Sequence, residues 1–180
     1  MRADALRNRE QIVSAAQVLF ISHGPDVPME DVARAASVGV GTLYRRFPDR
    51  CSLLAAVATN VLDTLAEKLR EARAAEPTAW DALVHYLRDW AEFRLGLLHD
   101  PLCKTMPDQV AADADVRQSQ LTWLDHLEEL IRDAQGEGVL RRDVGLPEIA
   151  QFMNMLVLRL EPSDTTTKLL QVMIDGLRAH

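Results

Sequence analysis

Residues 28–47 read PMEDVARAASVGVGTLYRRF. Proline suits the first turn of a helix, and Val32, Ala33 and Ala36 fall on one helical face, which predicts a short helix over 28–36. Ser37-Val38-Gly39 is a tight turn, and a second short helix follows over about 40–47, closed by Pro48. Upstream, Ile12, Val13, Ala16, Leu19 and Phe20 mark a longer first helix that Gly24-Pro25 ends. Two short helices joined by a three-residue turn beneath a longer one describe a helix-turn-helix. The second of such a pair can lie in the major groove of B-DNA.

That second helix carries suitable chemistry. Thr42 is a short hydroxyl near its amino end, within reach of base edges or phosphates, and Tyr44 offers a rigid ring with a phosphate-seeking hydroxyl. Arg45 and Arg46 are adjacent, so they diverge by about a hundred degrees and cannot both point into one groove. One of them reaches phosphate or a guanine edge and the other braces the domain. Gly39 and Gly41 present no Cβ, so backbone can approach DNA closely there. Arg2, Arg7 and Arg9 precede or open the first helix, either as an arm entering a minor groove or as a solvated terminus. Among these three, Arg9 is the candidate for phosphate.

The run from Arg9 to Leu54 has a further order: Ala16-Leu19-Phe20, Gly24, Val32-Ala33-Ala36, then Gly41-Thr42-Leu43-Tyr44-Phe47, Arg50 and Leu53-Leu54. In order and spacing it resembles the DNA-binding domain of the TetR family of bacterial transcriptional regulators. The resemblance implies phosphate or base contacts from Thr42 and Tyr44, with Arg50 gripping phosphate at the start of the next helix. A cation there opposes the positive end of that helix, which is easier to accept if it faces a phosphate. Three positions depart from the family pattern. Ser37 stands where the turn glycine is usual, so a positive φ costs more there. Gly39 replaces a small polar cap, and Pro28 replaces the common threonine, so that threonine's phosphate contact is absent.

Outward from this motif, the 180-residue chain carries 20 Lys and Arg against 27 Asp and Glu, a net charge of −7. Residues 1–50 are near neutral at +1 and residues 51–180 hold −8, which suggests two jobs in one chain. An acidic total argues against whole-surface binding to nucleic acid but leaves one local face open. The first residues lack the apolar core of a signal peptide, and no stretch reads as a transmembrane helix, so a soluble cytoplasmic protein is expected. Cys51 and Cys103 lie far apart, without metal-ligand spacing, and the five histidines show no ligand pairing. Cys51 beside Arg50 is either a packed small residue or a thiol of lowered pKa with a redox role.

Helical periodicity continues beyond residue 50, with a long helix to about Glu76-Pro77 and further helices near 78–99, 103–112, 115–135, 147–160 and 165–178. The fold is read as all-α: a three-helix DNA-binding domain over 1–49 and a helical ligand-binding and dimerisation body over 50–180. In the body, Arg94 falls near the centre of an apolar stripe, which is costly unless it pairs with an internal carboxylate or meets an anionic or carbonyl-bearing ligand. Gln120 sits similarly within the stripe of the 115–135 helix. Trp90, Phe93, Met106 and Trp123 are candidates to wall a pocket with Arg94 and Gln120. The resemblance implies such a small-molecule site among the body helices.

The last two helices are apolar on more than one side and must be buried on more than one side. A second copy of the chain is the economical partner, with Phe152, Met153, Met155, Leu156, Leu169, Val172, Met173 and Gly176 as the interface. No phosphate loop, nucleophile elbow or zinc motif is present, and no cofactor is expected. The function read from the sequence is a ligand-responsive regulator, a homodimeric repressor on palindromic operator DNA released by a small-molecule effector. An architectural DNA-binding protein without a ligand, or a small helical enzyme using the body pocket, are the alternatives.

Overall fold

The computed structural model describes the backbone over residues 2–24, 26–95, 108–159 and 164–179, and side chains over 7–24, 26–91, 108–153, 164–165 and 167–179. These residues form α1 Arg2–His23, α2 Met29–Ala35, α3 Val40–Arg46, α4 Arg50–Ala75, α5 Ala79–Leu95, α6 Asp108–Ala111, α7 Ala114–Gly136, α8 Leu146–Arg159 and α9 Asp164–Gly176. The all-α expectation holds among them, the one extended pairing being an isolated bridge between Leu140 and Arg178. No helix among the described residues is long and apolar enough to cross a membrane. The helix expected over 103–112 is described only from residue 108 onward. The chain divides into two compact units, Met1–Asp63 with His99–Gln120 and Thr64–Leu98 with Leu121–His180, so α4 and α7 each contribute to both.

In the first unit each boundary has a local cause. Gly24 ends α1 with a positive φ of 87° while its N–H bonds Phe20 O at 3.0 Å. Pro28 caps α2 through its carbonyl, which accepts from the N–H groups of Asp31 and Val32. The end of α2 is a Schellman motif: Val38 N–H bonds Ala33 O and Ser37 N–H bonds Arg34 O. Ser37 occupies its left-handed position with φ 55°, where the sequence had lost the usual glycine. Gly39 caps α3 through its carbonyl alone, and Phe47 leaves the helix as extended backbone before Pro48. Asp49 then caps α4, accepting from Ser52 N–H at 2.7 Å, and its carboxylate offsets the Arg50 cation at the positive helix end. Ile12, Ala16, Phe20, Val32, Leu43, Leu53 and Val57 form the core of this unit, joined by Val110 and Val116.

The second unit buries Trp80, Leu83, Tyr86, Leu87 and Trp90 of α5 with Leu127, Leu130, Ile131 and Ala134 of α7. Helix α8 packs against α5. The start of α5 is secured twice. Thr78 and Asp81 bond reciprocally, and both Glu137 carboxylate oxygens accept from the Ala79 and Trp80 N–H groups. Arg73 of α4 pairs with Asp133 of α7. At the chain end, Arg141 N–H bonds Leu177 O and Ala179 N–H bonds Val139 O, fixing the end of α9 on the turn that follows α7. The Arg141 guanidinium, hydrogen bonded to Asp143, holds that carboxyl below its ordinary value.

Candidate nucleic-acid interface

Leu43 is fully buried and therefore fixes the roll of α3 about its axis. At about 100° per residue, Arg45 then points almost directly away from the core, Gly41 and Thr42 flank that outward direction, and Tyr44 and Arg46 lie to either side. Gly39, Gly41, Tyr44, Arg45 and Arg46 are exposed, the long Arg46 side chain reaching solvent from the flank, and Thr42 is half-buried. The Arg45 Nη2 donates to Thr42 Oγ1 at 2.9 Å, linking two of these side chains across one turn. Neither glycine is required by the packing. A Cβ on Gly41 would meet nothing within 4 Å, and one on Gly39 only the Thr42 hydroxyl at 3.9 Å. The free space lies on the outside of the helix, where backbone is left bare.

Arg9 joins this region through the far end of α3. Its guanidinium stacks over the buried Phe47 ring, 5.6 Å from the centroid, so the arginine of α1 is held at the end of the second short helix. Arg50, half-buried, opens α4 after the Asp49 cap. Thus Arg9, Gly39, Gly41, Thr42, Tyr44, Arg45, Arg46 and Arg50 all belong to the first unit. Cys51 is half-buried and its thiol donates to Gln109 Oε1 at 3.3 Å. Cys103 lies outside the described residues.

The expected pocket residues fare differently. Trp90 is buried and Trp123 half-buried in the second unit. Gln120 is a correction: it is exposed, so it needs no internal partner and joins no buried pocket. Its helix passes from one unit to the other just there, with Val116 in the first core and Leu127 buried in the second unit, and Gln120 is the last residue of the first. The side chains of Phe93, Arg94 and Met106 lie outside the described residues. Two polar groups were not anticipated. The fully buried Tyr86 accepts at its hydroxyl from Trp123 Nε1 at 2.7 Å, and His126 Nδ1 is buried without a hydrogen-bond partner among the described residues. At about 100° per residue both lie just outside the apolar stripes of their helices, so a stripe pattern does not single them out as it does Arg94.

On the last helices the two apolar faces separate. In α9, Leu170, Ile174 and Leu177 are buried, while Leu169 is 41% and Val172 66% exposed, Met173 is half-buried and Gly176 is open. Phe152 and Met153 of α8 are corrections to the expected dimer face. They are buried within this chain, so they are already spent on its own interior. The side chains of Met155 and Leu156 lie outside the described residues.

Comparison with known proteins agrees with this arrangement. Residues 12–57 match the model for bacterial regulatory proteins of the tetR family, and residues 78–179 match that of the C-terminal domain of SbtR-like transcriptional regulators. A crystal structure of a TetR transcription regulatory protein from Mycobacterium vanbaalenii is 31% identical, with 99% of each chain covered and a TM-score of 0.75. A TetR transcriptional regulator from Streptomyces coelicolor is 27% identical over 94% of this chain and 98% of that one, with a TM-score of 0.72. An HTH-type transcriptional regulator of Staphylococcus aureus is 35% identical over 72 residues, which span 39% of this chain and only 39% of that regulator. These relatives are named as regulators rather than enzymes. The chain belongs to the tetR family of bacterial regulatory proteins.

Proposed function

We propose that the protein is a ligand-responsive, sequence-specific transcriptional repressor of the cytoplasm, binding a palindromic operator as a homodimer. Residues 1–49 act as the DNA reader and residues 50–180 as the ligand-binding and dimerisation body. One observation carries the reading: α3 spends Leu43 on the core and leaves Gly41, Tyr44, Arg45 and Arg46 exposed, with open space where a Gly41 Cβ would be. Such a helix offers donors to base edges and phosphates at the scale of a major groove. Arg9, Tyr44 and Arg50 supply the sequence-independent grip, and Gly39 and Gly41 let the backbone come close. Two readers must engage successive groove faces about 34–36 Å apart, which makes the operator palindromic.

The exposed face of α9, Leu169, Val172, Met173 and Gly176, supports the homodimer, since an apolar face of that kind is most cheaply covered by its own copy. The effector enters the second unit, whose interior contains Trp90, Trp123, Tyr86 and a His126 nitrogen that has no hydrogen-bond partner among the described residues. It acts by binding the DNA-incompatible state more tightly than the other, and affinity without that difference releases nothing. Helix α4 is the lever, one continuous helix from Arg50 to Ala75.

The test is enrichment of bound duplexes from a random library by the full chain at two salt concentrations. A recovered palindrome with steep salt dependence supports the proposal. A folded dimer that enriches no sequence overturns it.

A further inference from the structure

We infer that Arg45 is the base-reading residue of α3, that the base it reads is guanine, and that Thr42 is its positioning residue. The inference rests on the proposal that α3 reads DNA. Among the three consecutive residues Tyr44, Arg45 and Arg46, geometry separates the roles. With Leu43 fixed in the core, Arg45 lies about 160° from it around the helix, whereas Tyr44 lies about 100° and Arg46 about 60° away. A helix seated in a groove meets the groove floor with its outermost side chain and the phosphate walls with its flanks. Arg45 therefore faces the bases, and Tyr44 and Arg46 face the backbones.

The surroundings of Arg45 fit that task. Gly41 is one turn earlier on the same face and has open space where a Cβ would be, so no side chain at that position holds the helix away from the groove floor. The Thr42 hydroxyl oxygen accepts one of the five guanidinium hydrogens at 2.9 Å, which narrows the rotamers of a long side chain before DNA arrives. The remaining hydrogens all donate, and the group has no acceptor. In the major groove guanine alone shows two adjacent acceptors, O6 and N7, while adenine interposes a donor and cytosine presents one. A preset all-donor fork selects guanine. Each half-site of the operator accordingly holds a G·C pair opposite Arg45, at positions related by the two-fold axis.

The test uses the full chain and its enriched operator. Arg45→Ala is expected to lose the guanine preference at one position of each half-site and to keep the rest of the palindrome. Arg46→Ala is expected to bind more weakly on every sequence, with a shallower salt dependence and an unchanged preference. The decisive arm replaces the guanine N7 by carbon, using 7-deazaguanine at that position. This costs the wild-type protein roughly tenfold or more in affinity per half-site and costs Arg45→Ala nothing further. Thr42→Val, which removes the hydroxyl at similar volume, lowers the contrast between guanine and adenine at that position. An unaltered preference in Arg45→Ala, or an equal 7-deazaguanine penalty in both proteins, overturns the assignment. Failure of the wild-type chain to enrich any sequence is a different result and removes the DNA-reading proposal beneath it.

Discussion

The Trp123 indole N–H donates to the hydroxyl of Tyr86 at 2.7 Å, tying α7 to α5 through a tyrosine with no exposed surface. Removing that oxygen leaves the indole donor without its partner in a largely apolar interior, at a cost of about 1–3 kcal/mol. Tyr86→Phe should therefore lower unfolding free energy by about that amount in a urea titration. Operator affinity of the folded fraction should stay within a few-fold, because the change lies outside the DNA-reading unit. An unchanged denaturation midpoint would mean that the bond contributes nothing to the fold.

Ser37 supports a cleaner stability test. A left-handed residue with a Cβ costs about 1–2 kcal/mol, which glycine avoids at some entropic expense in the unfolded chain. Ser37→Gly should raise the melting temperature by a few degrees, a gain of up to about 1 kcal/mol. Ser37→Val should lower it, since a β-branched side chain tolerates that φ least.

At Gly41 stability and binding should move in opposite directions. Alanine is favoured over glycine in a helix, by up to about 1 kcal/mol in its interior and by less in the first turn where Gly41 sits, and no atom within 4 Å resists the added methyl. Gly41→Ala should thus melt at the same or a higher temperature and bind operator more weakly. Thermal melting and fluorescence anisotropy on one preparation measure both signs. A variant that binds as tightly as wild type would show that close backbone approach at Gly41 is not used.

The opposite faces of α9 predict distinct failures. Val172→Glu or Leu169→Glu changes an exposed side chain and should leave helicity intact while giving a monomer in sedimentation velocity. Ile174→Glu buries an unpaired carboxylate and should unfold the second unit. A Val172→Glu chain that still sediments as a dimer would take this face out of the interface.

The reader unit was legible because its signals are local. Apolar spacing marks Ile12, Phe20, Val32 and Ala33 as inner faces and all four are buried, and the missing turn glycine at residue 37 points to the strained φ that Ser37 adopts. Asp49 is equally local: an aspartate just before a helix is an ordinary cap signal, and it accepts from the Ser52 N–H beside the more conspicuous Arg50. The body was less legible because a stripe shows how much of a helix is buried and not what buries it. Phe152 and Val172 look equivalent on a wheel, yet one is inside the chain and the other outside. Gln120 falls within its stripe and is exposed, since the helix is shared between two units and burial is decided separately in each. Tyr86 and His126 are not legible in the same way, because each lies beside its helix's apolar stripe and carries its polar atom on a largely apolar ring.

The most direct measurement compares the affinity of the full-length chain for its enriched operator with that for the same duplex lengthened by five base pairs between the half-sites. Five base pairs rotate one half-site by about half a helical turn, so a dimer with a fixed separation between its readers can grip only one. Binding should fall by roughly a hundredfold or more, to near the level of unrelated DNA. Equal affinity for the two duplexes would show that each chain reads its half-site alone, and it would contradict a repressor that works as a rigid two-fold pair.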